Sequence, residues 1–339
     1  MRTRLFVLLA LTVLAIVSSS AYAAPKDLRW GTAQVGSAGH KALIELAALL
    51  NKAMPEYRIA VLPLPGAADS VKGYALGEYD AFYASQIAFH ELATGTGRFK
   101  GFRPAMKREP LQAFWGFTLE AGIGIRARDA GKIRRWSDLA GRRVFTCPLP
   151  FDIHAHLERA LTTLNVRHRY VQVDLSTVAT QLSSGMIDAM CIYTTAETSP
   201  VPWLTEASLS VDWAVLNPGA DEVAALKGVG FPYVELKPAV FGRDIHADHA
   251  GLVPILSGFG VTPEVPEADM YRMLTVIESN AKDLARADSS YLQVARDMPE
   301  LQRRGVETSP TSFPIHPGLA RYMRERGVWD ARWDAQVMR

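Results

Sequence analysis

Only two cysteines, Cys147 and Cys191, occur in 339 residues, which excludes a disulfide-built scaffold and a cysteine-rich metal site. Each lies in an apolar run (144–147 and 189–193), so a bridge between them and a pair of buried free thiols are both open. Past residue 24 there is no apolar run approaching the roughly 20 residues that span a bilayer. Charge of one sign is also missing: 37 Lys and Arg face 35 Asp and Glu. A main role on nucleic acid, which needs a clustered basic face, is thereby disfavoured. Gly-x-Ser-x-Gly, Gly-Lys-Ser/Thr and HExxH are all absent, and Gly95-Thr96-Gly97 is too short for a dinucleotide fingerprint. No period of 20–50 residues recurs, which excludes a solenoid.

What is present begins at the N-terminus. Arg2 and Arg4 precede an apolar run over 5–17, then a small and polar stretch ending in Ala21-Tyr22-Ala23. This pattern predicts a secretory signal peptide over 1–23, cut after Ala23, and a periplasmic protein. No cysteine stands at the cut, so a lipoprotein is not expected. The mature chain of about 316 residues exceeds one comfortable core and predicts two domains.

Along that chain short apolar runs alternate with helical periodicity, the pattern of α/β architecture. Strands are expected over 28–32, 58–64 and 81–84. Between them fall a helix with apolar Ala42, Leu43, Leu46, Ala47 and Leu50, and a second helix over 66–76 stopped at Gly77. The cycle restarts with strands over 144–147, 169–173 and 188–193 and helices over 154–164 and 176–184. A strand over 252–261 and helices over 270–284 and 319–326 follow. Two βαβαβ units in series predict a two-lobed binding-protein fold, each lobe a mainly parallel sheet flanked by helices, with a hinge between. Lobe 1 is expected to comprise 24–119 and 240–339, and lobe 2 to comprise 120–239.

Ligands of open α/β sheets sit beyond the carboxyl ends of the strands. There the sequence places small or polar turns that feed helices, whose free N–H groups favour an anion. The candidate ligand residues are Gln34, Gly36, Ser37, Ala38 and Gly39 in the first turn, then Gly66, Asp69 and Ser70, then Ser85 and Gln86. From lobe 2 they are Phe151, Asp152, Tyr193, Thr194 and Thr195.

Several stretches, in order, resemble one family. Residues 31–39 (GTAQVGSAG) are similar to the Gly/Ser/Thr-rich first loop of the TAXI-type solute receptors of TRAP transporters. Gly66 through Gly77-Glu78-Tyr79-Asp80 resembles their "GSxEN … GEAD", and Thr94-Gly95-Thr96-Gly97 their "NGTG". Residues 138–144 (DLAGRRV) resemble "DLKGKRV", and 185–189 (GMIDA) match "GxIDA". Residues 314–327 (PIHPGLARYMRERG) resemble "PxHPGAxxYYxExG", the most specific of the set. The resemblance implies a type-II-like fold and a small organic-anion ligand, a glutamate-like amino acid or a dicarboxylate. It also implies delivery to a TRAP-type membrane permease. An importer driven by ATP, or a ligand-sensing subunit, is the alternative. The sequence departs from the pattern at Ala67, Asp69 and Ser70, and at 149–153 (LPFDI), where a "PGSGT"-like stretch is expected. Asp152 there would repel a second ligand carboxylate and favour a ligand amine.

The remaining polar residues read as structural. His154 and His156, and His246 and His249, lack the ligand count of a zinc site and are expected as surface or capping groups. His316 is expected to fix the C-terminal segment by hydrogen bonding. Trp115, Trp136, Trp203 and Trp213 are expected in packing roles. The basic run Arg126, Arg128, Lys132, Arg134 and Arg135 is expected on a solvated face. No catalytic constellation, cofactor or metal site is expected, and the protein is expected to act as a monomer.

Overall fold

A computed structural model describes residues 25–242 and 246–339; the predicted signal peptide lies outside the described residues. The chain opens with β1 (Lys26–Gly31), α1 (Ala38–Ala53), β2 (Tyr57–Leu62), α2 (Ala67–Leu76), β3 (Ala81–Ser85) and α3 (Gln86–Thr94). The helical spacing read in α1 is the spacing it buries: Ala42, Leu43, Leu46, Ala47 and Leu50 all face the core. Ser37 caps the helix, its Oγ accepting the His40 N–H at 3.3 Å.

The long strand β4 (Phe114–Arg126) then leads into a second unit. It comprises β5 (Arg143–Phe145), α4 (Asp152–Thr163), β6 (Arg169–Tyr170), α5 (Val178–Ser183) and β7 (Ala189–Thr195). After these come β8 (Ser199–Pro200), α6 (Pro202–Ser210), β9 (Trp213–Leu216), α7 (Ala220–Gly228) and β10 (Val234–Leu236). A second long strand, β11 (Ala250–Val261), returns to the first unit. The chain ends in α8 (Glu267–Ser279), α9 (Ala281–Ala287), α10 (Leu292–Thr308) and α11 (Pro317–Glu325).

The architecture is the expected two-lobed α/β fold, but each lobe's sheet is mixed. The strand order is β2-β1-β3-β11-β4-β7-β5-β6. The outer strands pair in parallel (β1 with β2 and β3; β5 with β6 and β7), whereas β4 and β11 run antiparallel to their neighbours. Both long strands are buried throughout except at Arg126 and serve both lobes. The end of β11 pairs with β3, and the end of β4 with β7 and β9. Leu119 lies within β4, and Val240 lies in a 3-10 turn before β11.

Pro254 sits inside β11, opposite Glu120 of β4. It tolerates that place because β10 pairs only with residues 250–252 and β3 only with 257–261. Between them β11 has one partner strand, so the missing N–H breaks no second ladder.

Along residues 115–118 the other edge of β4 faces a helix instead of a strand. Gln302 of α10 accepts the Trp115 N–H at 2.7 Å and donates to the Trp115 carbonyl at 2.8 Å. Gln293 accepts the Thr118 N–H at 2.8 Å. Both glutamines are buried and supply the pairing that a strand would have given. The helix breaks at Asp297, whose carboxylate caps the Glu300 N–H, and resumes through Pro299.

Some expectations need correction. The strand expected over 169–173 is only Arg169–Tyr170. The helix expected over 270–284 is two, split at Asn280, whose side chain donates to the Val276 carbonyl. Arg126 is not on a solvated face: it donates to the Leu182 and Ile187 carbonyls and pairs with Asp129. Arg135 pairs with Asp221 and Glu222. His156 is fully buried beside Phe231, and His154 meets the Thr146 hydroxyl at 2.9 Å. His316 does fix the C-terminal segment, capping α11 through Nδ1 and meeting the Val265 carbonyl through Nε2. Among the described residues no helix is long and apolar enough to cross a membrane.

Cys147 and Cys191 form a disulfide. It ties the exit of β5 to the middle of β7, below the loop that carries Phe151. The bridge spans 44 residues, for which loop-closure entropy gives a stabilisation of about 4 kcal/mol. Replacing both cysteines by serine should lower the unfolding free energy by that order in urea titration. A midpoint unchanged from the oxidised protein would show that the bridge does not constrain the unfolded chain.

Candidate functional site

The loops that leave the carboxyl ends of β1, β2 and β5 converge between the lobes. They enclose a cavity of about 40 Å³. Its walls include the first turns of three helices: Ser37, Ala38 and Gly39 of α1, Gly66 and Ala67 of α2, and Phe151, Asp152 and Ile153 of α4. The leading N–H groups of such helices have no intrahelical acceptor, and neither α2 nor α4 has a side-chain cap. Tyr83, Leu119 and Tyr193 complete the wall. No lysine or arginine lines it, so backbone dipoles are the one source of positive charge on the lining itself.

Two glycines let the walls meet. A Cβ on Gly39 would stand 2.7 Å from the Tyr83 ring. One on Gly66 would stand 2.4 Å from the Pro150 carbonyl oxygen, across the lobe boundary. Gly66 has φ −167°, an extended conformation open to any residue, so it is the close approach of the lobes that requires glycine here.

The lobes are also joined by charge. Arg98, just after α3, donates to the Asp152 carboxylate at 2.6 Å and to the Pro150 carbonyl at 3.2 Å. It also donates to Glu91 at 2.7 Å. Burial opposes its charge, but the Asp152 and Glu91 carboxylates more than offset that and hold the guanidinium above its ordinary range. Farther along the boundary the Ser199 and Ser289 hydroxyls meet at 3.0 Å, and Arg296 stands 3.6 Å from Glu197.

The predicted ligand residues divide into groups. Ser37, Ala38, Gly39, Gly66, Phe151, Asp152 and Tyr193 line the cavity. Gln34 and Gly36 line a groove of about 250 Å³ that opens from it, and Thr195 lines a second groove of about 240 Å³. The others do not line these spaces. Ser70 is buried and its Oγ accepts the Tyr83 N–H. Ser85 caps α3, with Gln86 in that first turn. Asp69 accepts from the Tyr79 hydroxyl through its carbonyl, and Thr194 donates to Glu120. Asp152, expected to draw a ligand amine, already has its countercharge in Arg98. Sequence reading missed Tyr83, which sits on a strand without any motif, and Arg98, which follows the Thr94–Gly97 turn. Trp203, expected in packing, borders the larger groove.

At the crossing of the lobes Glu120 is fully buried. One oxygen accepts from the Thr194 hydroxyl at 2.6 Å and the Glu197 N–H at 2.9 Å, while the other has no partner. Burial pushes this carboxyl up to about 7, against the hydrogen bonds that favour its charge. Its bond to Glu197 holds a turn in which Ala196 (φ 54°) and Glu197 (φ 62°) are both left-handed.

Two tests follow. Arg98→Met leaves the buried Asp152 and the partly buried Glu91 without their cation and should cost about 3 kcal/mol. It should also raise the radius of gyration in X-ray scattering; unchanged scattering would show that apolar contacts alone hold the lobes together. For Glu120, the unfolded carboxyl ionises above its ordinary 4.5 whereas the folded one keeps its proton to about 7. The unfolded state therefore binds fewer protons in that window, and stability falls as pH rises through it, by on the order of 3 kcal/mol. Glu120→Gln should remove this fall from the pH profile of urea unfolding; an identical slope would place the titration elsewhere.

No family model matches this chain, and no curated protein does. Among solved structures it is similar to the alkanesulfonate-binding protein SsuA from Xanthomonas axonopodis pv. citri bound to MOPS, at 16% identity and TM-score 0.46, over 90% of this chain and 92% of that one. It is similar to the periplasmic aliphatic sulphonate binding protein SsuA from Escherichia coli, at 15% identity and TM-score 0.48, over 93% and 98%. A protein from Listeria monocytogenes described as an L-cystine ABC transporter aligns at 14% identity and TM-score 0.47, over 79% and 96%.

Proposed function

We propose that this protein captures a small organic anion between its lobes and presents it to a membrane transporter. The observation that carries this reading is the cavity itself, walled from both lobes by the first turns of three helices. Helix dipoles meeting at one small space, two of the three helix starts without a side-chain cap, favour negative charge. Capture needs only that the closed state bind the anion better than the open one. An enzyme on this frame would need an acid–base pair or nucleophile in the cavity. Its one carboxylate, Asp152, is engaged by Arg98.

The motif resemblance supports a periplasmic receptor for a TRAP-type permease, exported by the segment over 1–23; the glutamate-like amino acid or dicarboxylate it implies is one class of small organic anion. An ATP-driven importer is the alternative partner, and it fits a bare solute-binding cleft equally well. Uptake of labelled ligand by cells separates the two: collapse of the ion gradient stops the first, and an ATPase inhibitor stops the second.

The binding reading is tested by thermal shift of the purified protein against carboxylates and amino acids. A ligand at 100 times its dissociation constant stabilises the fold by about 2.7 kcal/mol, a shift of several degrees. Gly66→Val should abolish the shift and also lower the ligand-free melting temperature, because the new side chain meets Pro150 and parts the lobes at the Arg98 contact; circular dichroism unchanged from the parent would show that the fold is kept. A full shift in that variant would remove lobe closure from the mechanism.

A further inference from the structure

The inner cavity, at about 40 Å³, has room for little more than one or two water-sized groups. Any solute larger than a single polar head must therefore extend outward, and two grooves are available. The larger shares Ser37, Phe151 and Tyr193 with the cavity wall. The other shares only Ala38, and brings Lys41 and Asp288 to its lining.

The larger groove has a mixed lining, Gln34, Ser37 and Glu206 with a cluster of apolar side chains. Val35, Leu175, Val201 and Trp203 line it beyond Phe151. Val35 is 67% exposed, a large apolar side chain standing in water beside the cavity mouth. The indole N–H of Trp203 faces the Tyr193 hydroxyl at 3.4 Å, which sets Trp203 against the residue common to cavity and groove. Glu206 is the one charged side chain on the lining, and it repels a second carboxylate placed there. The cavity lining offers no cation to match such a carboxylate either.

Resting on the solute-capture reading above, we infer that the ligand is an amphipathic monocarboxylate. Its acid head sits among the three helix starts, and its aliphatic or aromatic tail lies in the groove between Val35 and Trp203. Val35, Leu175 and Trp203 then set specificity by tail, and a dicarboxylate or a glutamate-like acid is the poorer fit.

Calorimetry on the purified protein tests this with acetate, butanoate, hexanoate and 3-phenylpropanoate, and with succinate and glutamate beside them. Affinity should tighten about fourfold per added methylene, as buried apolar area grows. Trp203→Ala should weaken hexanoate and 3-phenylpropanoate about tenfold while leaving acetate unchanged. Val35→Asn alters a side chain that packs little, so the fold is kept, and because it adds no charge beside the head it should weaken the tailed acids alone. Affinity independent of tail length, or tightest for succinate or glutamate, overturns the tail assignment and leaves the solute-capture reading standing. Binding of none of these acids overturns both.

Discussion

The antiparallel pairing of β4 with β11 is the constraint on which the rest of the molecule hangs. These are the two long strands that serve both sheets, so the register between them fixes how the loops of one lobe meet those of the other. Their pairing is continuous across the boundary from Val253 to Leu256. At its centre Pro254 faces Glu120, so a residue with no N–H to give sits opposite a buried carboxyl with an unpartnered oxygen. Pro254 stands where one side of its ladder is already open, whereas Glu120 is paired on both sides, with Pro254 and with Thr194.

Around that crossing the cleft draws on two kinds of electrostatics. The cavity is walled by helix N-termini without a cation of its own. The lobe contact is held by full charges, Glu91, Arg98 and Asp152, whose attraction is partly cancelled by their burial. Such an arrangement contributes little net stability when intact and costs much when one member is lost. Its effect is therefore on geometry: it selects one closed arrangement, with the Pro150 carbonyl against Gly66 and the guanidinium of Arg98. The protein's own arginine thus makes a cross-lobe bond beside the cavity, independent of anything held inside.

Much of the fold was legible because it follows local periodicity. The apolar spacing in α1, the helix stop at Gly77 and the three parallel strands of lobe 1 lie close to where the sequence puts them. The small residues of the first turn also led to the cavity, since Ser37, Ala38 and Gly39 reach it through backbone. What stayed hidden depends on tertiary contact. Arg98 carries no periodic signal, and its partners lie 7 and 54 residues away. Asp152 read as a free acid because nothing near it in sequence supplies a countercharge. Ser70, Ser85 and Thr194 have the chemistry of ligand donors but spend it on the Tyr83 N–H, the start of α3 and Glu120. Helix α10 was missed because Asp297 and Pro299 interrupt its pattern, and because its buried positions include glutamines.

Those glutamines bear on how an edge of a central strand is closed to other chains. An uncovered edge on β4 would present N–H and carbonyl groups ready to recruit a strand from another chain. Gln293 and Gln302 occupy those groups with side chains of a helix, which cannot propagate a sheet to a further neighbour. The edge is satisfied and sterically closed at once, so this stretch of β4 offers no template for β-aggregation.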